Sequence, residues 1–190
     1  MLITYKNRKN ELHYLRAAKT KKGGKRYYIV KNKEKYADEE LLEEIPDSFE
    51  FYESPYDARV SLRKIIQPAF TPNEISLVNA VMQQQTHVDD FILDSTAEGL
   101  MVYAAGHKRA DFEYLNDSQF LILLVFDEVL FFTKNTDGHY VLHRFCQLSQ
   151  YYGWIPLETH PDLKYLAEKY CPHIQKESLL RFWIEGEEDY

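Results

Sequence analysis

The stretch LHYLRAAKTKKGGKRYYIV, residues 12–30, predicts the central element of the N-terminal part of this chain. Its two ends, Leu12 to Lys19 and Lys25 to Val30, are rich in residues that favour strands. The residues between them, Lys21-Lys22-Gly23-Gly24, are typical of a tight turn. The stretch therefore predicts a β-hairpin.

This hairpin is also the candidate binding site of the chain. Lysine neutralises phosphate charge without reading a sequence, and aromatic faces stack on unpaired bases. A cluster of both kinds of side chain predicts a site for nucleic acid or another polyanion, formed by Lys19, Lys21, Lys22, Lys25, Arg26, Tyr27 and Tyr28.

A structural interpretation of the same residues stays open. A lysine-rich turn also protects a sheet edge against pairing with another chain. Residues 36–53 carry eight acidic and no basic side chains, so this acidic stretch could lie against the hairpin and neutralise it. The sequence alone does not choose between the two interpretations.

The region around the hairpin predicts a small N-terminal domain over residues 1–66. Residues 38–44 predict a short helix, and residues 49–52 and 59–63 predict a second hairpin. Together these elements predict a sheet of about four strands. Pro68 and Pro72 then bracket a linker.

The remainder, residues 67–190, predicts an α+β domain. Thr71, Pro72 and Glu74 occupy the N-cap, N1 and N3 positions of a capping box, and the helix they begin extends to about Gln85. Gly153 and Pro156 mark a predicted connection that carries Trp154. Strands are predicted over residues 88–93, 100–104, 120–126, 129–133 and 140–148, and helices over residues 163–170 and 174–183.

The predicted fold class is accordingly α+β, with two mainly antiparallel sheets, a linking helix and a C-terminal helical pair. The order of elements does not decide whether the two sheets share one continuous core.

Composition excludes several classes of protein. Hydrophobic residues make up 45% and charged residues 28%, which are globular values and not those of a disordered chain. The longest apolar run has seven residues, from Phe120 to Phe126, whereas a membrane-spanning helix needs about 20. Two cysteines are too few for a disulfide framework, and the N-terminus lacks an apolar signal segment. We therefore expect a cytoplasmic protein without a membrane partner.

Charge is distributed unevenly along the chain. Residues 1–35 contain 12 Lys or Arg and two acidic residues, a net charge of +10. The other 155 residues contain 11 basic and 28 acidic residues, a net charge of −17. Such asymmetry is typical of a basic arm that binds a polyanion, or of two parts of one protein that neutralise each other.

No motif predicts a catalytic residue, a metal ligand or a cofactor. His139 and His143 are four residues apart on a predicted strand, which separates them by about 13 Å, too far to share an ion. For the remaining candidates the residues favour a structural interpretation: His87 with Asp89 and Asp90 as surface or packing residues, the acidic pair Asp127 and Glu128 as a bend between strands, Asp162 and Lys164 at a helix start, and Cys146 and Cys171 as buried thiols.

Two groups of segments appear together in this chain. The first comprises residues 19–28, 44–55 and 60–64, and the second comprises residues 143–146, 153–157, 166–173 and 177–178. In this order they resemble a family of hypothetical bacterial proteins of similar length, and the match spans most of the chain. The resemblance implies a bacterial cytosolic protein. It carries over no catalytic residue, because no activity is assigned to that family.

These observations favour a non-enzymatic binding module, with nucleic acid or an acidic protein as its partner and the basic hairpin as its site. One alternative is a protein-interaction module or subunit with no nucleic-acid role, and a homo-oligomer is compatible with it. Another is a metal-dependent hydrolase.

Overall fold

The computed structural model of the chain describes residues 1–148 and 151–182. Within these residues it contains three α-helices and ten strands in three antiparallel sheets, so the fold is mixed α and β and mostly sheet. The chain divides into two compact units. Unit 1 contains Met1–Ile65 and Glu113–Leu124, and unit 2 contains Ile66–Phe112 and Val125–Tyr190.

Unit 1 is built on a three-stranded antiparallel sheet in the order β1-β2-β3. The strands are β1 (Thr4–Lys6), β2 (Leu12–Lys19) and β3 (Lys25–Val30). The predicted hairpin is confirmed over the same residues. The short strand β1 was not predicted, because only three residues of it pair with β2.

A separate two-stranded sheet packs on one face of this sheet. It consists of β4 (Phe49–Glu53) and β5 (Val60–Lys64). The rings of Tyr27 and Phe49 lie 5.8 Å apart, and those of Tyr5 and Phe51 lie 5.3 Å apart. The predicted four-stranded N-terminal sheet is therefore wrong. The two hairpins form two sheets that face each other.

Unit 2 contains a five-stranded antiparallel meander in the order β10-β9-β8-β7-β6. Each strand pairs with its neighbour in sequence, so no crossover is needed. The strands are β6 (Phe91–Ser95), β7 (Leu100–Ala105), β8 (Phe126–Lys134), β9 (Tyr140–Leu148) and β10 (Tyr151–His160).

The core of unit 2 forms where two helices pack with this sheet. Helix α1 (Pro72–Gln83) begins with the predicted capping box, in which the Thr71 side chain accepts a hydrogen bond from the Glu74 amide. The third helix, α3 (Leu163–Tyr170), buries Leu166, Ala167 and Tyr170. The sheet contributes buried Leu100, Val102, Leu130, Phe132, Leu142 and Ile155 to the same cluster.

The largest fully buried side chain of the described residues belongs to Arg144 in β9, which is 2% exposed. Its Nε donates a hydrogen bond of 2.8 Å to the Phe182 carbonyl. A buried guanidinium requires such acceptors, because an unpaired charge inside a protein is strongly destabilising. Arg144 therefore fixes the backbone near the end of the described chain. The sequence pattern contains no sign of this role.

The predicted strand over residues 120–126 is wrong. Helix α2 (Asp117–Leu123) occupies most of it, and β8 begins only at Phe126. The Asn116 side chain accepts a hydrogen bond from the Gln119 amide, and the Gln119 side chain accepts one from the Asn116 amide. This capping box starts a helix that the apolar run conceals.

Three further predictions need correction. Asp127 and Glu128 lie inside β8 and not at a bend. Trp154 lies inside β10 and not in a connection, with its ring 5.5 Å from Phe131 and 5.2 Å from Phe145. The C-terminal helical pair is not confirmed: after α3 the described chain forms two short 3-10 helices, Cys171–His173 and Glu177–Arg181. The predicted end of the second helix at Trp183 lies outside the described residues.

No helix among the described residues is both long and apolar enough to cross a membrane.

Candidate functional site

The turn of the basic hairpin is closed by hydrogen bonds around Thr20. The Thr20 amide donates to the Gly24 carbonyl at 2.7 Å, and the Gly23 amide donates to the Thr20 carbonyl at 3.0 Å. The Thr20 hydroxyl also accepts a hydrogen bond of 3.0 Å from the Gly24 amide. Gly23 has a φ of +84°, a conformation that glycine adopts without the steric cost other residues incur. These hydrogen bonds give the turn a defined shape.

Five cations surround this turn, and we call them the tip cations: Lys19, Lys21, Lys22, Lys25 and Arg26. All five are exposed. In the part of the chain that the structure describes, none of them forms an ion pair or a side-chain hydrogen bond. The hairpin therefore presents positive charge that its own unit does not neutralise.

Two of the tip cations face each other across the hairpin. Lys19 and Lys25 are direct partners in the register of β2 and β3. In an antiparallel pair the Cβ atoms of such partners lie about 5 Å apart, and like charges at this distance are destabilising. The base of the turn therefore concentrates positive charge at a small cost in stability.

The structure separates the two tyrosines of the predicted site. Successive side chains of a strand point to opposite faces, so Tyr27 and Tyr28 diverge. Tyr27 lies on the face that packs on β4 and β5, with its ring near Phe49. Tyr28 lies on the opposite face and is 39% exposed. Of the two rings, that of Tyr28 remains accessible to a ligand.

Two arginines lie near Tyr28, and one of them, Arg16, is not among the predicted site residues. The guanidinium carbon of Arg16 lies 5.6 Å from the centre of the Tyr28 ring and 4.4 Å from that of Tyr36. The guanidinium carbon of Arg26 lies 5.8 Å from the Tyr28 ring centre. Arg16 is the register partner of Tyr28, so the alternation of β2 is the signal that could have identified it.

The acidic stretch that follows the hairpin lies against the middle of β2 and not against the turn. Leu41 forms an isolated bridge with Arg16, and the Leu42 amide donates to the Leu15 carbonyl. Glu40 accepts hydrogen bonds from Arg16 Nε at 3.1 Å and Nη2 at 2.6 Å. The hydrogen bond from Arg16 lowers the pKa of Glu40, and the hydrogen bond to Glu40 raises the pKa of Arg16. Glu40 thus neutralises Arg16 and leaves the tip cations unpaired.

The histidines and acids considered as metal ligands are dispersed in unit 2. His87 Nε2 lies 3.0 Å from the Ile174 carbonyl oxygen, and His143 Nδ1 lies 3.2 Å from that of Phe131. Burial lowers the pKa of His143. Asp89 accepts a hydrogen bond from the Arg109 amide. Within residues 1–148 and 151–182, no group of three or more His, Cys, Asp or Glu side chains is arranged to hold a metal ion.

The acid-x-lysine fragment at the start of α3 has a structural role. Asp162 is the N-cap residue of this helix, and its side chain accepts a hydrogen bond of 2.8 Å from the Lys164 amide. Both cysteines are free and buried, and burial raises the pKa of the Cys171 thiol to about 12. A thiol with so high a pKa remains protonated near neutral pH and is a poor nucleophile.

No protein-family model, curated protein or solved structure matches this chain.

Proposed function

We propose that this protein is a non-enzymatic binding module that binds nucleic acid or another polyanion through the tip cations of its basic hairpin. One observation carries the proposal. Five exposed cations lie within eight residues, and no carboxylate of the described chain pairs with them.

The distribution of charge within unit 1 and the release of counterions on binding both support the proposal. Unit 1 contains 15 basic and 13 acidic residues, so its net charge is only +2, and the tip cations are a local concentration within it. A phosphate chain that reaches them releases its condensed counterions, which is the main source of affinity in non-specific nucleic-acid binding. The defined turn presents the cations together, which reduces the entropy lost on binding.

The test is binding of a labelled nucleic acid at several salt concentrations. The variant changes Lys21, Lys22, Lys25 and Arg26 to Ser, which removes four cations that can neutralise phosphates. The matched control changes Lys64, Lys108, Lys176 and Arg181 to Ser. These are also three lysines and one arginine, all exposed and without an ion pair in the described chain. Both variants change the net charge from −7 to −11.

We expect the parent and the control to bind with the same salt dependence. The hairpin variant should bind at least about tenfold more weakly at low salt, and its slope of log K against log salt should be smaller by about 0.7 for each phosphate that is no longer neutralised. Equal weakening in both variants would show that net charge alone governs binding. No binding by the parent at low salt would refute the proposal.

A second candidate function is protein interaction without a nucleic-acid role. Three large apolar side chains within ten residues of unit 1 are exposed: Tyr114 at 78%, Ile122 at 64% and Leu123 at 45%. Exposed large apolar side chains are one feature of protein interfaces. If this candidate is correct, the hairpin variant should retain the partner, and Ile122→Ser together with Leu123→Ser should lose it.

We also propose a cytoplasmic location and membership of the bacterial family that the sequence resembles. Two free, buried cysteines are compatible with a reducing compartment. We further propose that α1 is the linking helix of the predicted fold, because it directly follows the predicted linker.

A further inference from the structure

The side chains on one face of the three-stranded sheet of unit 1 form a polar and aromatic surface, which we call the outer face. It is the face opposite to the one that packs on β4 and β5. In the register of β2 and β3 its rows are Tyr14 with Val30, Arg16 with Tyr28, and Ala18 with Arg26. From residue 12 to residue 18 the face extends for about 20 Å, at roughly 3.3 Å per residue.

Guanidinium groups and aromatic rings alternate on the outer face. The guanidinium carbon of Arg16 lies 4.4 Å from the centre of the Tyr36 ring and 5.6 Å from that of Tyr28, and the guanidinium carbon of Arg26 lies 5.8 Å from the Tyr28 ring centre. Lys33 Nζ also lies 5.9 Å from the centre of the Tyr14 ring. Tyrosine rings and guanidinium planes are the two kinds of surface on which unpaired bases stack in proteins.

The outer face adjoins the tip cations at Arg26, which belongs to both. Tyr28 lies two residues after Arg26 on the same face of β3. A nucleic-acid strand whose phosphates contact the tip cations can therefore run along β3 and bring its next nucleotides to the Tyr28 ring. A duplex keeps its bases paired and stacked, so it offers phosphates to the tip but no base to Tyr28. Base stacking on Tyr28 would therefore favour an unpaired strand over a duplex.

Glu40 limits the charge of this surface. Its carboxylate accepts hydrogen bonds from Nε and Nη2 of Arg16. The side chain of Glu40 is 37% exposed and that of Arg16 is 22% exposed. A carboxylate at this position repels phosphate and occupies the donors of Arg16. Removal of its charge would leave Arg16 in place beside two rings and available to a ligand.

We propose that the outer face binds an unpaired nucleic-acid strand, with a base stacked on Tyr28, and that Glu40 weakens this binding. The inference rests on the proposed function, because it assigns the phosphates of the same strand to the tip cations. It adds the class of ligand, which is a single strand, and the residue on which one of its bases stacks, which is Tyr28.

The experiment compares three polyanions on the intact protein by fluorescence competition: a 12-nucleotide oligouridine, a blunt RNA duplex with the same number of phosphates per strand, and heparin. We expect the single strand to bind most tightly. Tyr28→Leu should weaken its binding by roughly 5- to 150-fold, the range for loss of one stacked base, and should leave the binding of heparin unchanged. Tyr28→Phe should retain binding within about twofold, because the ring is kept.

Two further variants complete the design. Tyr56→Leu removes a tyrosine that is 56% exposed in the turn between β4 and β5, away from the outer face, and should bind like the parent. Glu40→Gln keeps the shape of the side chain and should bind the single strand several-fold more tightly. This gain of affinity cannot result from failure to fold, so it tests the inference even if Tyr28→Leu is unstable.

The outcomes separate the two proposals. Equal binding of single strand and duplex, with no effect of Tyr28→Leu or Glu40→Gln, would overturn the inference, while lysine-dependent binding of heparin would leave the proposed function in place. Absence of binding to all three polyanions would overturn both.

Discussion

Glu74 connects three parts of unit 2 through a single carboxylate. It accepts hydrogen bonds from the amide and hydroxyl of Thr71, from Tyr140 and from Lys134. Burial disfavours its charge, but the hydrogen bonds outweigh burial and lower its pKa from 4.5 to about 2. The hydrogen bond to Glu74 raises the pKa of Tyr140 to about 12. The charged carboxylate therefore stabilises the folded state.

This shift predicts how stability depends on pH. Because the folded pKa lies below the unfolded value of 4.5, the contribution of Glu74 is complete above pH 4.5 and is lost as pH falls toward 2. Glu74→Gln should lower the free energy of unfolding by about 1 kcal/mol at pH 7. The difference from the parent should shrink through this window, as measured by chemical denaturation at pH 7, 4 and 2.5.

Glu168→Gln is the control for this prediction. Its carboxylate is 55% exposed and lies 3.5 Å from Lys164 within one turn of α3. Such pairs contribute about 0.3–0.5 kcal/mol, so the change should be small. A gap between Glu74→Gln and the parent that stays constant at every pH would contradict the assignment.

The candidate site was predictable from the sequence only as far as neighbouring residues allow. The tip cations lie within a segment of eight residues, so they could be identified as a group from the sequence alone. Tyr27 and Tyr28 are adjacent, but the strand places their rings on opposite faces. Arg16 is 12 residues from Tyr28 in sequence and reaches its ring through the register of β2 and β3, and Tyr36 reaches Arg16 through the chain after β3. Such proximity is a property of the folded chain.

At the scale of elements, the predictions succeeded where a local signal was unopposed. The turn residues delimit β2 and β3, and the capping box at Thr71 delimits α1. The prediction failed at residues 120–126. The apolar run there favours a strand, whereas the polar segment before it favours a helix. The capping box of Asn116 and Gln119 decides the outcome locally, and the chain extends again from Phe126.

Helix α2 should therefore depend on Asn116. Asn116→Ala removes the acceptor for the Gln119 amide and should lower the free energy of unfolding by about 1 kcal/mol. Ser118→Ala, within the same turn but outside the box, should change it by less than about 0.5 kcal/mol. Urea denaturation of the two variants and the parent provides the comparison. Equal stability of the two variants would show that packing, and not the cap, selects the helix.

At the scale of the whole molecule, the two units differ from the two segments that the sequence suggests. The prediction divided the chain once, after residue 66. Unit 1 also includes Glu113–Leu124, within which Phe120 and Leu124 are 6% and 5% exposed. Neither a change in composition nor a proline marks the segment at which the chain returns to unit 1. Its buried residues, Phe120 and Leu124, are ordinary apolar residues.

We therefore expect a fragment of residues 1–66 to be an incomplete domain. It lacks the 12 residues that cluster with it, and it should unfold at lower temperature and less cooperatively than a chain in which residues 113–124 follow residue 65 through a flexible linker. Circular dichroism on heating measures both. Identical transitions for the two proteins would show that the returning segment contributes nothing to unit 1.

The return of the chain to unit 1 also sets an order of events during synthesis. When Ile65 leaves the ribosome, the hairpin can form, but its unit waits for 59 further residues until Leu124 emerges. At translation rates of about 5–20 residues per second, this delay is roughly 3–12 s. Through that interval the tip cations are already present on a nascent, incomplete unit, beside the RNA of the ribosome itself. A chaperone or a polyanion that binds early would therefore meet the hairpin before the last 12 residues of its unit exist.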